Sequence, residues 1–246
     1  MWRKDSGWVL KDLSVSEKYK NEEVRSSFEY LSGYKKPKGI TEQTNILRQL
    51  FPGIGFADEK LAEREVQKNA DNGWFAILKW QSLAPTYGEA VELVMKKLNE
   101  TLNGRFQNYR KGELGPDQLR QLTKTTSVFQ KLAEEQDGYD VLVVAVQFGL
   151  LHRGRSVRRV REILLDNEFG LGAFAVSIML LTHPERLNHH DELWIDCAGD
   201  EFAPGADGEF GYAPIFRFHG GKLEFGTHDI SHADGGCGSV SGFLPL

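Results

Sequence analysis

Apolar residues along the chain gather into short branched or aromatic runs that predict strands. Trp74–Trp80 and Asp140–Phe148 are the clearest, and the second is almost continuous in Val, Leu and Ala, as in a strand covered on both faces. Further strands are predicted after Pro184, over Leu193–Cys197, Tyr212–His219 and Lys222–Thr227. The last two flank Gly220 and Gly221, which predict a tight hairpin.

Helical periodicity dominates between these runs. Thr86 and Glu89 have the spacing of a capping box, which predicts a helix start. Apolar residues then recur at helical spacing as a buried stripe: Val91, Val94, Met95, Leu98 and Leu102. Less regular patterns predict further helices over Thr41–Leu50, Asp58–Asn69, Pro116–Glu135, Ser156–Leu165 and Ala173–Leu181.

This order of elements predicts an α+β fold. We expect a mostly helical first two-thirds around a few central strands, and a C-terminal third rich in antiparallel β-hairpins. Residues 1–38 are polar but carry several aromatic side chains, so we expect an N-terminal arm packed on the body. Residues 39–246 then form a single α+β domain, with a sub-boundary near residue 138.

Composition narrows the class of protein. The longest apolar stretches, Val141–Val146 and Ala173–Leu181, are shorter than the ~18 residues that span a bilayer, and the N-terminus has no apolar signal segment. We therefore expect no membrane partner and a cytoplasmic location. The two cysteines, Cys197 and Cys237, form no CxxC pair and are predicted to be free thiols.

Charge is unevenly distributed over the 246 residues. The formal net charge is -5, and the segment from Arg186 to Leu246 holds ten acidic residues against three basic ones. The chain as a whole therefore lacks the excess of positive charge typical of a bulk nucleic-acid binder.

One basic segment stands out against this acidic background. It follows the strand at Asp140–Phe148 and precedes the helix at Ser156–Leu165. Its candidate ligand-binding residues are Gly149, His152, Arg153, Gly154, Arg155, Ser156, Arg158 and Arg159, with Arg161 just beyond. Glycines and cations at a strand-to-helix junction predict binding of a phosphate-bearing ligand, a nucleotide or a nucleic-acid backbone.

The detailed chemistry of this segment disfavours a P-loop. Its spacing is that of a P-loop, with Asp196 as the acidic strand end that would support a metal ion, but Arg155 stands in place of the lysine. Leu150 and Leu151 are bulky for a loop that wraps phosphate. The alternative is a solvated basic face that pairs with Glu162, Asp166 and Glu168 or with the acidic C-terminal region.

A second candidate site lies in the C-terminal third. All seven histidines lie at or after His152, and five of them fall between His189 and His232, near both cysteines. His228, His232, Asp234 and Cys237 offer a zinc-type ligand set, although their spacing matches no strong metal motif.

The function therefore remains open among three classes. The leading hypothesis is binding of a phosphate-bearing ligand at Gly149–Arg161. The second is a metal-dependent or hydrolytic enzyme in the C-terminal third, in which Cys237 also offers a nucleophile with His228 or His232 as its base. The third is an interaction module without catalysis, which binds a protein partner or a second copy of itself.

Overall fold

The computed structural model describes residues 16–31, 33–66, 73–205 and 208–244. Within them the α-helices are α1 (Ile40–Leu50), α2 (Tyr87–Thr101), α3 (Thr123–Glu135), α4 (Val157–Ile163) and α5 (Ala173–Thr182). The strands are β1 (Gly73–Leu78), β2 (Phe106–Asn108), β3 (Leu119–Gln121), β4 (Val141–Gln147), β5 (Glu168–Gly170), β6 (Trp194–Asp196), β7 (Asp200–Phe202), β8 (Tyr212–His219), β9 (Lys222–Asp229), β10 (Cys237–Ser239) and β11 (Ser241–Phe243). The chain is thus mixed α+β.

Four strands form a small sheet in the order β1-β4-β11-β5. β4 pairs antiparallel with β1 over six residues, and every residue of β4 is buried, as its continuous apolar pattern predicts. α1 and α5 pack against β1, and α2 packs on α5. All ten residues of α5 are buried, so this helix forms the middle of the main core.

The larger sheet has seven strands. β8 and β9 are its long central hairpin, closed by Gly220 and Gly221 at positive φ, which confirms the predicted turn. β6 and β7 pair with the other edge of β8, β10 extends the sheet beyond β6, β3 pairs with β7, and β2 pairs with β9. β10 and β2 both run parallel to their neighbours.

The prediction of a helical first two-thirds and a separate hairpin-rich C-terminal third is wrong. β1 to β4 lie in the first two-thirds of the chain and belong to both sheets, whereas the fully buried helix α5 begins only at Ala173. Near the C-terminus, the chain passes from β10 in the larger sheet to β11 in the smaller one. The cause is long-range pairing, which leaves no local periodicity in the sequence.

Two predicted helices are also shorter than expected. α3 begins at Thr123 rather than Pro116, because Leu119–Gln121 pairs with β7 as strand β3. Within Asp58–Asn69, residues Glu59–Glu63 form a 3-10 helix capped by the Asp58 side chain, and residues 67–69 lie outside the described residues. The capping box at Thr86 and Glu89 is confirmed.

The described part of the predicted N-terminal arm lies against α4 and the loop before it. The Val24 amide donates to the Gly154 carbonyl at 2.7 Å, and the Ser156 amide donates to the Glu22 carbonyl at 3.1 Å. Residues 1–15 of the arm lie outside the described residues, and the division at residues 38 and 138 stays a prediction. No helix in the described ranges is long and apolar enough to cross a membrane.

Candidate metal centre

Three strands of the larger sheet bring together residues that are far apart in sequence. Asp196 ends β6, His228 lies near the end of β9 and Cys237 begins β10. Alternation along β8 and β9 turns the Phe216–Phe225 pair towards the main core and the Ala213–His228 pair towards the opposite face. Asp196 pairs with Ile215, which shares that opposite face, so the ligand set lies on the sheet surface away from the aromatic core.

The side chains of Asp196, His228 and Cys237 converge closely. One potential ligand atom from each residue lies within 4.8 Å of the other two. His228 Nε2 is 3.1 Å from Asp196 Oδ1. Asp196 and Cys237 are buried, and the His228 side chain is 17% exposed. A carboxylate, an imidazole and a thiol thus surround one point at the end of the sheet.

The polar atoms at this point are poorly satisfied. Among the described residues, neither carboxylate oxygen of Asp196 accepts a hydrogen bond, although His228 Nε2 lies within ion-pair distance of Oδ1. Ser239 lies beside Asp196 in the parallel register, and its buried Oγ also lacks a hydrogen-bond partner among those residues. Buried charged and polar groups normally have partners, so these atoms mark a position suited to a cation.

The electrostatics of the cluster favour a neutral thiol in the absence of a cation. Burial raises the pKa of the Cys237 thiol, and the nearby carboxylates of Asp196 and Asp234 raise it further. Burial alone would lower the pKa of His228, but the carboxylate of Asp196 outweighs it, so the net pKa shift is upward. Cys237 is therefore not activated as a free thiolate nucleophile, whereas a bound cation would favour its ionised form.

Two residues of the cluster, His228 and Cys237, line a cleft of about 370 Å³ on the sheet surface. The cleft is lined by these three ligand strands and by Tyr109, Arg110, Arg217, His232 and Asp234. His232 and Asp234 stand at its rim, with side chains 60% and 42% exposed and 3.7 Å between Nε2 and Oδ2. The His228 and His232 ring centroids are 6.4 Å apart.

The structure therefore regroups the predicted metal ligands. It brings His228 and Cys237 together, and it places His232 and Asp234 at the rim of the same cleft rather than in the inner set. The third inner residue is Asp196, which the sequence suggested as the strand end of a P-loop arrangement and not as a partner of His228 and Cys237. Its proximity depends on β6 lying between β8 and β10, and no local pattern reports this order.

A second group of metal-type side chains, at His189, His190 and Asp191, differs in its surroundings. All three residues are exposed, and Asp191 Oδ1 lies 3.0 Å from His190 Nε2. Exposed groups of this kind are hydrated without an ion. The group lacks the buried carboxylate of the inner set.

The arginines of the basic segment are held by the N-terminal arm. Arg158 Nε donates to both oxygens of Glu22 at 2.8 Å, and Arg159 Nε donates to Glu23 at 2.6 Å. Arg155 Nε lies 3.3 Å from Glu23. Arg153 donates to the Phe28 carbonyl at 2.9 Å.

The remaining residues of the segment have structural contacts. His152 is buried with Nε2 2.7 Å from Glu168. Ser156 caps α4 by accepting from the Arg159 amide. Gly149 and Gly154 have positive φ. These contacts pair the segment mainly with the arm, a partner that the sequence interpretation did not name.

Comparison of the chain with protein-family models, with curated proteins and with solved structures found no match. The function must therefore be inferred from the geometry of the chain itself.

Proposed function

We propose that the chain is a metal-dependent hydrolase that binds a divalent transition metal, with zinc as the best match, through Asp196, His228 and Cys237. One observation carries the proposal: a fully buried carboxylate that accepts no hydrogen bond from the described residues lies within ligand distance of an imidazole and a thiol that line an open cleft. This arrangement is the C-terminal enzyme hypothesis with Asp196 in place of the two rim residues.

The donor set and the charge balance support zinc. Oxygen, nitrogen and sulfur ligands together suit a borderline-soft ion, whereas Mg²⁺ and Ca²⁺ prefer oxygen alone. An ionised Asp196, an ionised Cys237 and a neutral His228 carry two negative charges, which a divalent cation neutralises. Burial of the same set without a cation leaves the carboxylate with only the proton on His228 to balance it.

Three protein ligands and an adjoining cleft support a catalytic role. Structural zinc sites are closed by four protein ligands, whereas catalytic sites keep one position for water or substrate. Zinc in such a site lowers the pKa of its bound water towards neutrality. His232 and Asp234 stand at the cleft rim and would accept the proton of an attacking water and return it to the leaving group.

The first test is the metal content of protein purified without a metal-affinity tag. Elemental analysis should find one zinc per chain, and Asp196→Asn and Cys237→Ala should each lower this content by more than half. Asp191→Asn, in the exposed histidine group, and Cys197→Ala, at the other buried thiol, should leave it unchanged. Equal metal content in all five proteins would refute the assigned ligands.

The hydrolytic part is tested separately. Zinc-loaded protein should cleave at least one member of a panel of small esters and peptides, and Asp196→Asn should abolish that cleavage. Zinc binding with no cleavage of any panel member would leave a metal protein and overturn the hydrolase.

The location follows the same chemistry. A thiolate ligand needs Cys237 reduced, so we propose the cytoplasm as the compartment. The phosphate-ligand hypothesis at Gly149–Arg161 and the interaction-module hypothesis stay predictions. The pairing of Arg155, Arg158 and Arg159 with the arm gives the phosphate hypothesis no support.

A further inference from the structure

Arg217 lines the same cleft as two of the proposed metal ligands, His228 and Cys237. It lies on β8 opposite Glu224 of β9, and continuation of the β6–β8 register places it beside Trp194. Trp194 pairs in turn with Cys237 on β10. Arg217 and Cys237 are therefore two strands apart on one face of the sheet, or about 10 Å between backbones.

The guanidinium of Arg217 is fixed at one edge and free at the other. Its Nε donates to Glu224 Oε2 at 2.8 Å, and its central carbon lies 5.6 Å from the Trp194 ring centroid. Among the described residues its two Nη groups donate to no side chain or carbonyl, and the side chain is 41% exposed. Fixed aromatic and carboxylate contacts on one edge orient the other edge for a ligand.

Glu224 is itself held in place. Its side chain is 7% exposed, and it also accepts a hydrogen bond from the Tyr109 hydroxyl at 3.1 Å. The Glu224 carboxylate that orients Arg217 therefore has a second hydrogen-bond partner, which holds it in place when a ligand binds in the cleft. Arg110 adds a second cation to the same lining, with its Nε on the Thr227 hydroxyl at 3.1 Å.

We propose that Arg217 is the specificity residue for a carboxylate on the substrate, so that the chain hydrolyses small amides that carry a carboxylate near the cleaved bond, as at a peptide C-terminus. A guanidinium fork matches the two oxygens of a carboxylate. An extended chain rises about 3.3–3.6 Å per residue, so two or three residues span the roughly 10 Å between the backbones of Arg217 and Cys237.

This inference rests on the proposed function, because the metal ligands define where the reacting bond lies. The reaction balances without a redox partner: the oxygen of water forms a new C–O bond, the C–N bond breaks, and the amine leaves with a proton from that water.

The test measures binding of two matched probes, N-acetylglycine and the neutral N-acetylglycinamide, to zinc-loaded protein by calorimetry. N-acetylglycine should bind at least tenfold more tightly than the amide. Arg217→Gln should weaken its binding on the order of 10- to 100-fold while zinc content stays at one per chain. Arg120→Gln, which removes an exposed arginine from another cleft, should change neither value.

A second variant guards against misfolding. Arg217→Lys keeps the positive charge next to Glu224 and should still weaken N-acetylglycine binding several-fold, because the fork is lost. Equal affinity for both probes, or unchanged affinity in both Arg217 variants with zinc present, would overturn the carboxylate assignment alone. Absence of zinc from the wild-type protein would overturn the proposed function as well.

Discussion

The replacement Asp196→Asn should have opposite effects on the free energy of unfolding with and without zinc. In chelator the variant should be at least as stable as wild type, and in zinc it should be less stable. The change is nearly isosteric and removes the buried carboxylate that no described residue hydrogen-bonds. In chelator at pH 7.5, His228 can lose its proton once the carboxylate is gone, so no unpaired charge stays behind. We therefore expect the variant to be as stable as wild type or more stable, within about 1 kcal/mol.

Added zinc should stabilise the wild type much more than Asp196→Asn. At a free zinc concentration 100 times its dissociation constant, the wild type gains about 2.7 kcal/mol, or a rise in melting temperature of about 5–11 °C for a chain of this size. A hundredfold loss of affinity on removing one ligand reduces that gain to about 0.4 kcal/mol. The variant should then be about 2 kcal/mol less stable than wild type.

Urea unfolding of both proteins, in chelator and in zinc, measures the four free energies. A purely structural role for Asp196 gives the same difference under both conditions, so an unchanged difference would refute the metal site. Asp191→Asn should gain as much from zinc as wild type does, because the exposed histidine group is not the site.

Other measurements test separate parts of the structure. Below the raised pKa of His228, both His228 and Cys237 must lose a proton to bind zinc, so zinc affinity should rise about a hundredfold per pH unit. Above that pKa only Cys237 must still ionise, and the rise should be about tenfold per pH unit. A flat profile in a chelator-competition assay would exclude both ligands. Arg159→Ala should lower the free energy of unfolding in urea by about 2–3 kcal/mol, since Glu23 loses a buried donor, and a change under about 0.5 kcal/mol would contradict the anchoring of the arm. Burial raises the pKa of Asp200 to about 7, so the folded chain holds this proton more tightly than the unfolded chain does. The free energy of unfolding of the wild type should therefore fall, relative to Asp200→Asn, as the pH rises from about 4 to about 7. Parallel pH profiles of the two proteins would contradict the raised pKa.

Two further variants, one a control and one a test of the thiol ligand, accompany these measurements. Arg120→Ala removes an arginine whose side chain is 55% exposed and should change the free energy of unfolding by less than about 0.5 kcal/mol. Cys237→Ser should remove the tenfold-per-unit part of the zinc profile, because a serine hydroxyl does not ionise in this range.

Elements with a local signal were predictable from the sequence. The capping box at Thr86, the continuous apolar run of β4 and the Gly220–Gly221 turn each act over a few neighbouring residues, and the structure confirms all three. In each case the residues whose pattern predicts the element are also the residues that form it.

Elements that depend on distant partners were not predictable. β3 interrupts a helical pattern because Leu119 and Gln121 pair with residues some 80 positions later in the chain. The glycine-rich segment at Gly235–Gly242 has no strand pattern of its own, yet it contributes one strand to each sheet. A side chain at Gly238 would clash with the Gly149 carbonyl oxygen, so close backbone approach, not turn formation, explains this glycine.

The same distinction explains the candidate site. The sequence placed histidines, carboxylates and Cys237 in one region, but it favoured residues close to one another in sequence, such as His232 and Asp234. Parallel pairing of β10 with β6 instead brings Cys237 beside the strand that ends in Asp196. The ligand set is therefore a consequence of the sheet order, and a substitution that displaces β10 should weaken metal binding without changing any ligand.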